Sequence, residues 1–207
     1  MHLSRAIPLA ALLISTSSMT FAASTVELVV KGLIIPTACE PVMSGGGSID
    51  HGKLAAKDLN VDTHTDLPVM PIQLSVRCDG PTLFALNMID NRAGSSSQHE
   101  VLQGLGMTPN NEKLGSVAFG LSNAVADSGP VATIMSTNGG ASWYAGSYLG
   151  HAALTAFAST SDTSRPIALT DVDARINVYA MIARADGLTL TSEVPIDGHV
   201  TLQVKYL

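Results

Sequence analysis

Hydrophobic and polar residues alternate along this chain with a period of two. Val26, Leu28, Val30, Gly32 and Ile34 alternate with Glu27, Val29, Lys31 and Leu33. Ile72, Leu74, Val76 and Cys78 alternate with Gln73, Ser75 and Arg77, and Val200, Leu202, Val204 and Tyr206 alternate with Thr201, Gln203, Lys205 and Leu207. Successive side chains of a strand point to opposite faces, so each run predicts a strand with one buried face. Apolar stretches at 83–89, 117–121, 131–135, 152–157 and 176–183 predict further strands. Turn chemistry separates them, at Asp79-Gly80-Pro81, Asn138-Gly139-Gly140, Asp186-Gly187 and Asp197-Gly198. Residues 54–59 (LAAKDL) predict a short helical turn. Many short strands joined by turns predict an all-β sandwich or barrel. Residues 44–48 (SGGGS) have a linker's composition but lie between the two cysteines, and they read as a loop within one domain. Residues 91–98 and 159–165 are polar and small, and also read as loops.

Composition narrows the class. The chain has 207 residues, 46% hydrophobic and only 14% charged, which excludes a disordered segment or a coiled coil. Eleven Lys and Arg against 17 Asp and Glu give a net charge of −6. There is no basic surplus to neutralise phosphates, so no nucleic-acid partner is expected. Residues 1–22 have the three zones of an export signal: a basic start to Arg5, an apolar 6–14 (AIPLAALLI), then polar and small residues. Thr20 and Ala22 suit the positions before signal peptidase, which predicts cleavage after Ala22; an uncleaved anchor is the alternative. Only Cys39 and Cys78 are present. In an oxidising compartment they most simply form one disulfide, with two buried free thiols as the alternative. A metal site fails on spacing, because there is no CxxC and the six histidines are scattered singly.

The chain offers little for catalysis. Ser147 sits in AGSYLG, with its glycines at the wrong offsets for a nucleophile elbow. Gly104 and Gly106 begin a dinucleotide-like fingerprint, but Pro109 stands where the third glycine belongs. Asp171 and Asp173 read as solvated strand-edge carboxylates rather than a metal or acid pair. No enzyme activity, cofactor or metal is expected. Trp143, Tyr144 and Tyr148 cluster in ASWYAGSYLG and form the one candidate ligand patch, able to stack on a sugar, although a core or edge role is commoner for such aromatics.

Three features occur together: an alternating N-terminal strand running into a cysteine (STVELVVKGLIIPTAC), a second strand ending in the partner cysteine (LPVMPIQLSVRC), and a final alternating strand with a penultimate aromatic (GHVTLQVKYL). In this order they resemble the subunits of chaperone–usher pili, the fimbriae of Gram-negative bacteria. The middle is closest to a less-studied subgroup of fimbrial subunits, through PTACEPVMSGGGSIDHGKL and VRCDGPTLFALNMIDNRAGS. The resemblance implies an incomplete immunoglobulin-like β-sandwich completed by donor-strand exchange, in which the next subunit's N-terminal strand fills an apolar groove. It implies a signal peptide at 1–22, a donor-strand extension at 23–35 and a pilin domain at 36–207. It makes Val26, Leu28, Val30, Gly32 and Ile34 the groove-facing donor residues. Gly32 is placed where the groove approaches the backbone, a simple bulge being the alternative. It makes Val200, Leu202, Val204, Tyr206 and the Leu207 carboxylate the strand recognised by a periplasmic chaperone; an ordinary last strand of a closed sandwich is the alternative.

The expected partners are neighbouring subunits, the periplasmic chaperone and an outer-membrane usher, and the expected location is the cell-surface fimbria. The donor-like strand and the chain length favour a shaft or adaptor subunit supporting cell adhesion over a two-domain tip adhesin. The competing function is a secreted single-domain carbohydrate-binding β-sandwich that uses the Trp143–Tyr148 region.

Overall fold

The structure is a computed structural model that describes residues 27, 29–32, 38–127 and 129–207. The expected signal peptide and donor residues Val26, Leu28 and Ile34 lie outside the described residues. Residues 27 and 29–32 fall in one unit, and residues 38 onward in a second, which is all-β. Its strands are β1 (Cys39–Met43), β2 (Thr65–Asp66), β3 (Met70–Thr82), β4 (Phe84–Asp90), β5 (Gln103–Gly104) and β6 (Gly115–Ala126). They continue as β7 (Gly129–Pro130), β8 (Ala132–Ser136), β9 (Tyr144–Ala145), β10 (Leu154–Ala158), β11 (Leu169–Ile182) and β12 (Val200–Tyr206).

Two antiparallel sheets form an immunoglobulin-like sandwich. The first has the order β1-β3-β11-β6-β5, with β2 against β11 and β7 against β6; the second has the order β12-β4-β10-β8-β9. The inward residues of β3 and β11, among them Leu74, Val76, Val172, Ile176 and Val178, meet Phe84, Leu86, Met88 and Phe157 of the second sheet in one core. Phe84 and Phe157 pack edge to face with centroids 6.0 Å apart. A smaller apolar cluster, Ala85, Ile134, Ala156 and Ala158, lies on the opposite face of the second sheet, and Trp143 and Leu154 pack against it.

Several predicted elements take a different form. Asp79-Gly80-Pro81 does not turn the chain: β3 runs through it to Thr82, and the strand stays engaged because Asp79 bonds the backbone of Ala38 and Thr82 pairs with Leu169 beyond a bulge. Pro81, which cannot donate to a ladder, is exposed near the strand's end. Strands β6 and β11 extend well beyond the predicted 117–121 and 176–183. Residues 44–47, expected as a loop, form a left-handed turn, with φ of 62°, 65° and 76° at Gly45, Gly46 and Gly47. Glycine adopts this region without the steric cost that a Cβ imposes. The helical turn predicted within 54–59 is the 3-10 turn Ala56–Asp58.

Candidate functional site

Cys39 and Cys78 are register partners in β1 and β3, and they form a disulfide with an S–S distance of 2.01 Å. Cys39 opens β1 rather than closing a strand, and Cys78 lies within β3. The bond staples β1, the end strand of the first sheet, to its neighbour. β1 in turn lies beside β12, the end strand of the second sheet, so the edges of both sheets meet along one side of the sandwich. The Cys39 N–H donates to the Tyr206 hydroxyl at 3.0 Å across that seam.

The five residues singled out at the C-terminus come together here. Val200, Leu202 and Val204 face the core from β12 but stay half-buried, whereas Leu86 and Met88 on the neighbouring β4 are fully buried. Tyr206 is 38% exposed and Leu207 48%. The hydrogen-bond directions of β12 follow from its register. Asn91 N–H donates to the His199 carbonyl and Leu207 N–H to the Leu83 carbonyl, so the odd-numbered residues face β4. The N–H and C=O groups of Val200, Leu202, Val204 and Tyr206 therefore point away from β4, along an edge that is free among the described residues.

Beside the start of β12, a groove of about 310 Å³ opens between the sheets. Its walls are core side chains from both sheets, including Ile72, Met88, Val117, Ile176 and Val178, and Met43, Gly46 and Gly47 form its lip. The left-handed glycine turn thus ends β1 after five residues and leaves the groove open next to it. Of the donor-strand residues, Val30 and Gly32 are described. Val30 is 88% exposed, and a Cβ at Gly32 would meet no atom within 4 Å.

The aromatic cluster splits into three roles. Trp143 packs against the small cluster on the second sheet, where the three alanines leave room for an indole. Tyr144 is exposed on β9. The Tyr148 hydroxyl donates to the Val101 carbonyl, and burial pushes its phenol pKa up. Asp171 and Asp173 lie on β11, which sits between β3 and β6 and is not an edge. Asp173 accepts from Ser75 Oγ at 2.6 Å and from Arg77 Nη2 at 2.8 and 2.9 Å, while Arg77 Nε lies 3.6 Å from Asp171. These are structural cross-strand contacts on a solvated face, each worth under about 1 kcal/mol.

Glu112 was not singled out by sequence reasoning, because one glutamate in a loop carries no pattern. It accepts from the Thr189 N–H and hydroxyl at 2.8 and 2.7 Å and from Thr108 Oγ1 at 2.7 Å. The Thr189 amide, followed by the two hydroxyls, holds its carboxyl below the ordinary 4.5. The Ser75 hydroxyl and then Arg77 hold Asp173 below the ordinary 3.8. Both carboxyls bind protons more weakly folded than unfolded, so their stabilisation is complete above the ordinary values and is lost as pH falls through the lowered ones. Thermal melts should therefore give a flat Tm from neutrality down to about pH 5 and a decline below about pH 4. The double variant Glu112→Gln/Asp173→Asn should decline less steeply in acid; an identical decline would remove these two groups as its cause.

A family model described as "Protein of unknown function (DUF1120)" matches residues 28–103. That span holds both cysteines and strands β1 to β4. The chain is also similar to protein GltF of Escherichia coli (strain K12), at 28% identity over 234 residues covering 92% of each chain. It is similar to the uncharacterized protein YhcF of the same strain, at 25% identity over 221 residues covering 90% of this chain and 92% of the other. Both similarities span nearly the whole length of each chain.

Proposed function

We propose that the chain is a structural, non-enzymatic subunit of a chaperone–usher fimbria, in a shaft or adaptor position, that polymerises by donor-strand complementation and supports cell adhesion. The observation that carries this reading is the seam between β1 and β12. There, a strand with a free hydrogen-bonding edge borders a groove walled by core side chains. Open strand edges and exposed apolar grooves are liabilities that soluble proteins normally cover, and pairing with an added strand satisfies both at once. The period-two run Val26 to Ile34 has the alternation such a strand needs: its apolar side chains face the groove while its backbone pairs with β12. In this reading the chain is exported to the periplasm, held there by a chaperone strand on β12, and passed through an outer-membrane usher to the cell surface.

The test is removal of Tyr206–Leu207. In this reading the truncated chain is no longer captured by its chaperone and is degraded in the periplasm. Accumulation at the normal level, with the chaperone still co-purifying, would overturn the assignment.

A further inference from the structure

The segment between β11 and β12 has the sequence of a strand and the structure of a strap. Leu188, Leu190, Val194, Ile196, Gly198 and Val200 keep the same period of two as β12, interrupted at Ser192. Yet residues 188–199 belong to no strand. The strap is tied at its ends, by Thr189 to Glu112 and by Asp197 to Arg92 and the Leu105 carbonyl. Between those ties, among the described residues, the backbone of 190–196 makes no hydrogen bond, and Glu193 only approaches the fully solvated Lys53 at 3.8 Å. Leu188 and Val194 already turn toward the core. The strap walls a cleft of about 710 Å³ over Leu59, Leu114 and Ile182. That cleft shares Ile49, His51 and Ile196 with the groove beside β12, so the two adjoin.

We infer that residues 190–198 are a latent extension of β12, which becomes a strand when the N-terminal segment of a second copy pairs along the free edge. The inference rests on the donor-strand reading. Length favours this occupant. Residues 24–35 are about 12 residues, which span about 40 Å when extended, whereas the seven residues of β12 offer an edge of only about 24 Å. Backbone direction allows it. Continuing the alternation of β12 toward the N-terminus points the groups of Gly198, Ile196 and Val194 to the free edge. Pro195, which has no N–H, then faces the β4 side and removes no donor from the new ladder. The loop after β4 begins at Asn91, so no strand of the second sheet competes for 190–196.

The experiment adds a peptide of residues 24–35 to the 15N-labelled chain beginning at Ala23, and follows amide exchange by NMR. The expected result is that Val194, Ile196 and Gly198 gain protection together with Val200, Leu202, Val204 and Tyr206, by about tenfold or more. Ile196→Pro should weaken peptide binding about tenfold relative to Ile196→Ala, because one outward donor is lost. Glu193→Pro, at a position whose backbone N–H points to the β4 side rather than the free edge, should bind like the parent. Protection confined to 200–206, with Ile196→Pro and Ile196→Ala binding equally, would overturn the extension while leaving the donor-strand reading intact. Protection at neither segment would overturn both.

Discussion

A chain that starts at Pro36 and carries residues 24–35 at its C-terminus through a flexible linker should be a monomer, and should melt far above the same chain without the added strand. The linker makes strand addition intramolecular, at an effective concentration in about the millimolar range. Val26, Leu28, Val30 and Ile34 would enter the groove. Burying four aliphatic side chains contributes roughly 6–12 kcal/mol before the added segment is ordered. If about half survives the ordering cost, Tm rises on the order of 10–20 °C for a domain of this size. Gly32→Leu in the transplanted strand should take back a large part of that rise, since a side chain would have to fit where the backbone approaches the groove. Differential scanning calorimetry of the three chains decides the matter. If the chain without the added strand is already a stable monomer and the transplant leaves its Tm unchanged, the sandwich was complete, and a secreted binding module becomes the better account.

Breaking the disulfide should have the next largest effect. Cys39 and Cys78 are 39 residues apart, and closing a loop of that size removes chain entropy worth about 4 kcal/mol from the unfolded state. The native state suffers as well. β1 is a five-residue end strand, held on one side only by β3, and the bond pins its first residue. Cys39→Ala/Cys78→Ala should lower the urea midpoint accordingly, and reducing agent should do the same to the parent. A midpoint that moves in neither case would mean that the bond constrains nothing. The seam should also loosen in the variant, because without the bond nothing covalent holds the residue 39 amide where it donates to the Tyr206 hydroxyl.

The strands with one solvated face were the legible ones. Around Ile72 to Cys78, and from Val200 to Tyr206, polar residues face water and apolar ones face the core, so the alternation is unbroken. The longer central strands hid their ends. In β11 the inward positions 174 and 180 are alanines, and a bulge near Leu169 shifts the phase. In β6 small residues at 115, 116 and 120 carry little hydropathy, and the register slips beside Asn123, whose φ of 52° suits its short polar side chain. Asp79-Gly80-Pro81 has turn chemistry, but cross-strand contacts to Ala38 and Leu169 override it, and no local signal carries those. Of the candidate site, the β12 residues and the cysteine pair were legible because each is a pattern within the chain. A groove was expected only through the family resemblance, and the residues that wall it were not legible, because they come from strands far apart in sequence. The aromatic cluster read as one patch because its residues are neighbours in sequence, whereas the fold sends them to different surroundings.

The position of Trp143 has a practical consequence for spectroscopy. It is the chain's single tryptophan, and it rests on the small alanine cluster of the second sheet, packed against Ala85, Ile134, Ala156 and Ala158. None of the residues lining the groove or the cleft is Trp143. Its emission therefore reports the integrity of β4, β8 and β10, and not the occupancy of the β12 edge. Intrinsic fluorescence should follow global unfolding with a strong red shift, yet remain nearly constant when a strand docks. A label attached at the Gly46 lip would complement it, giving separate optical channels for the folding of a subunit and its joining to the next.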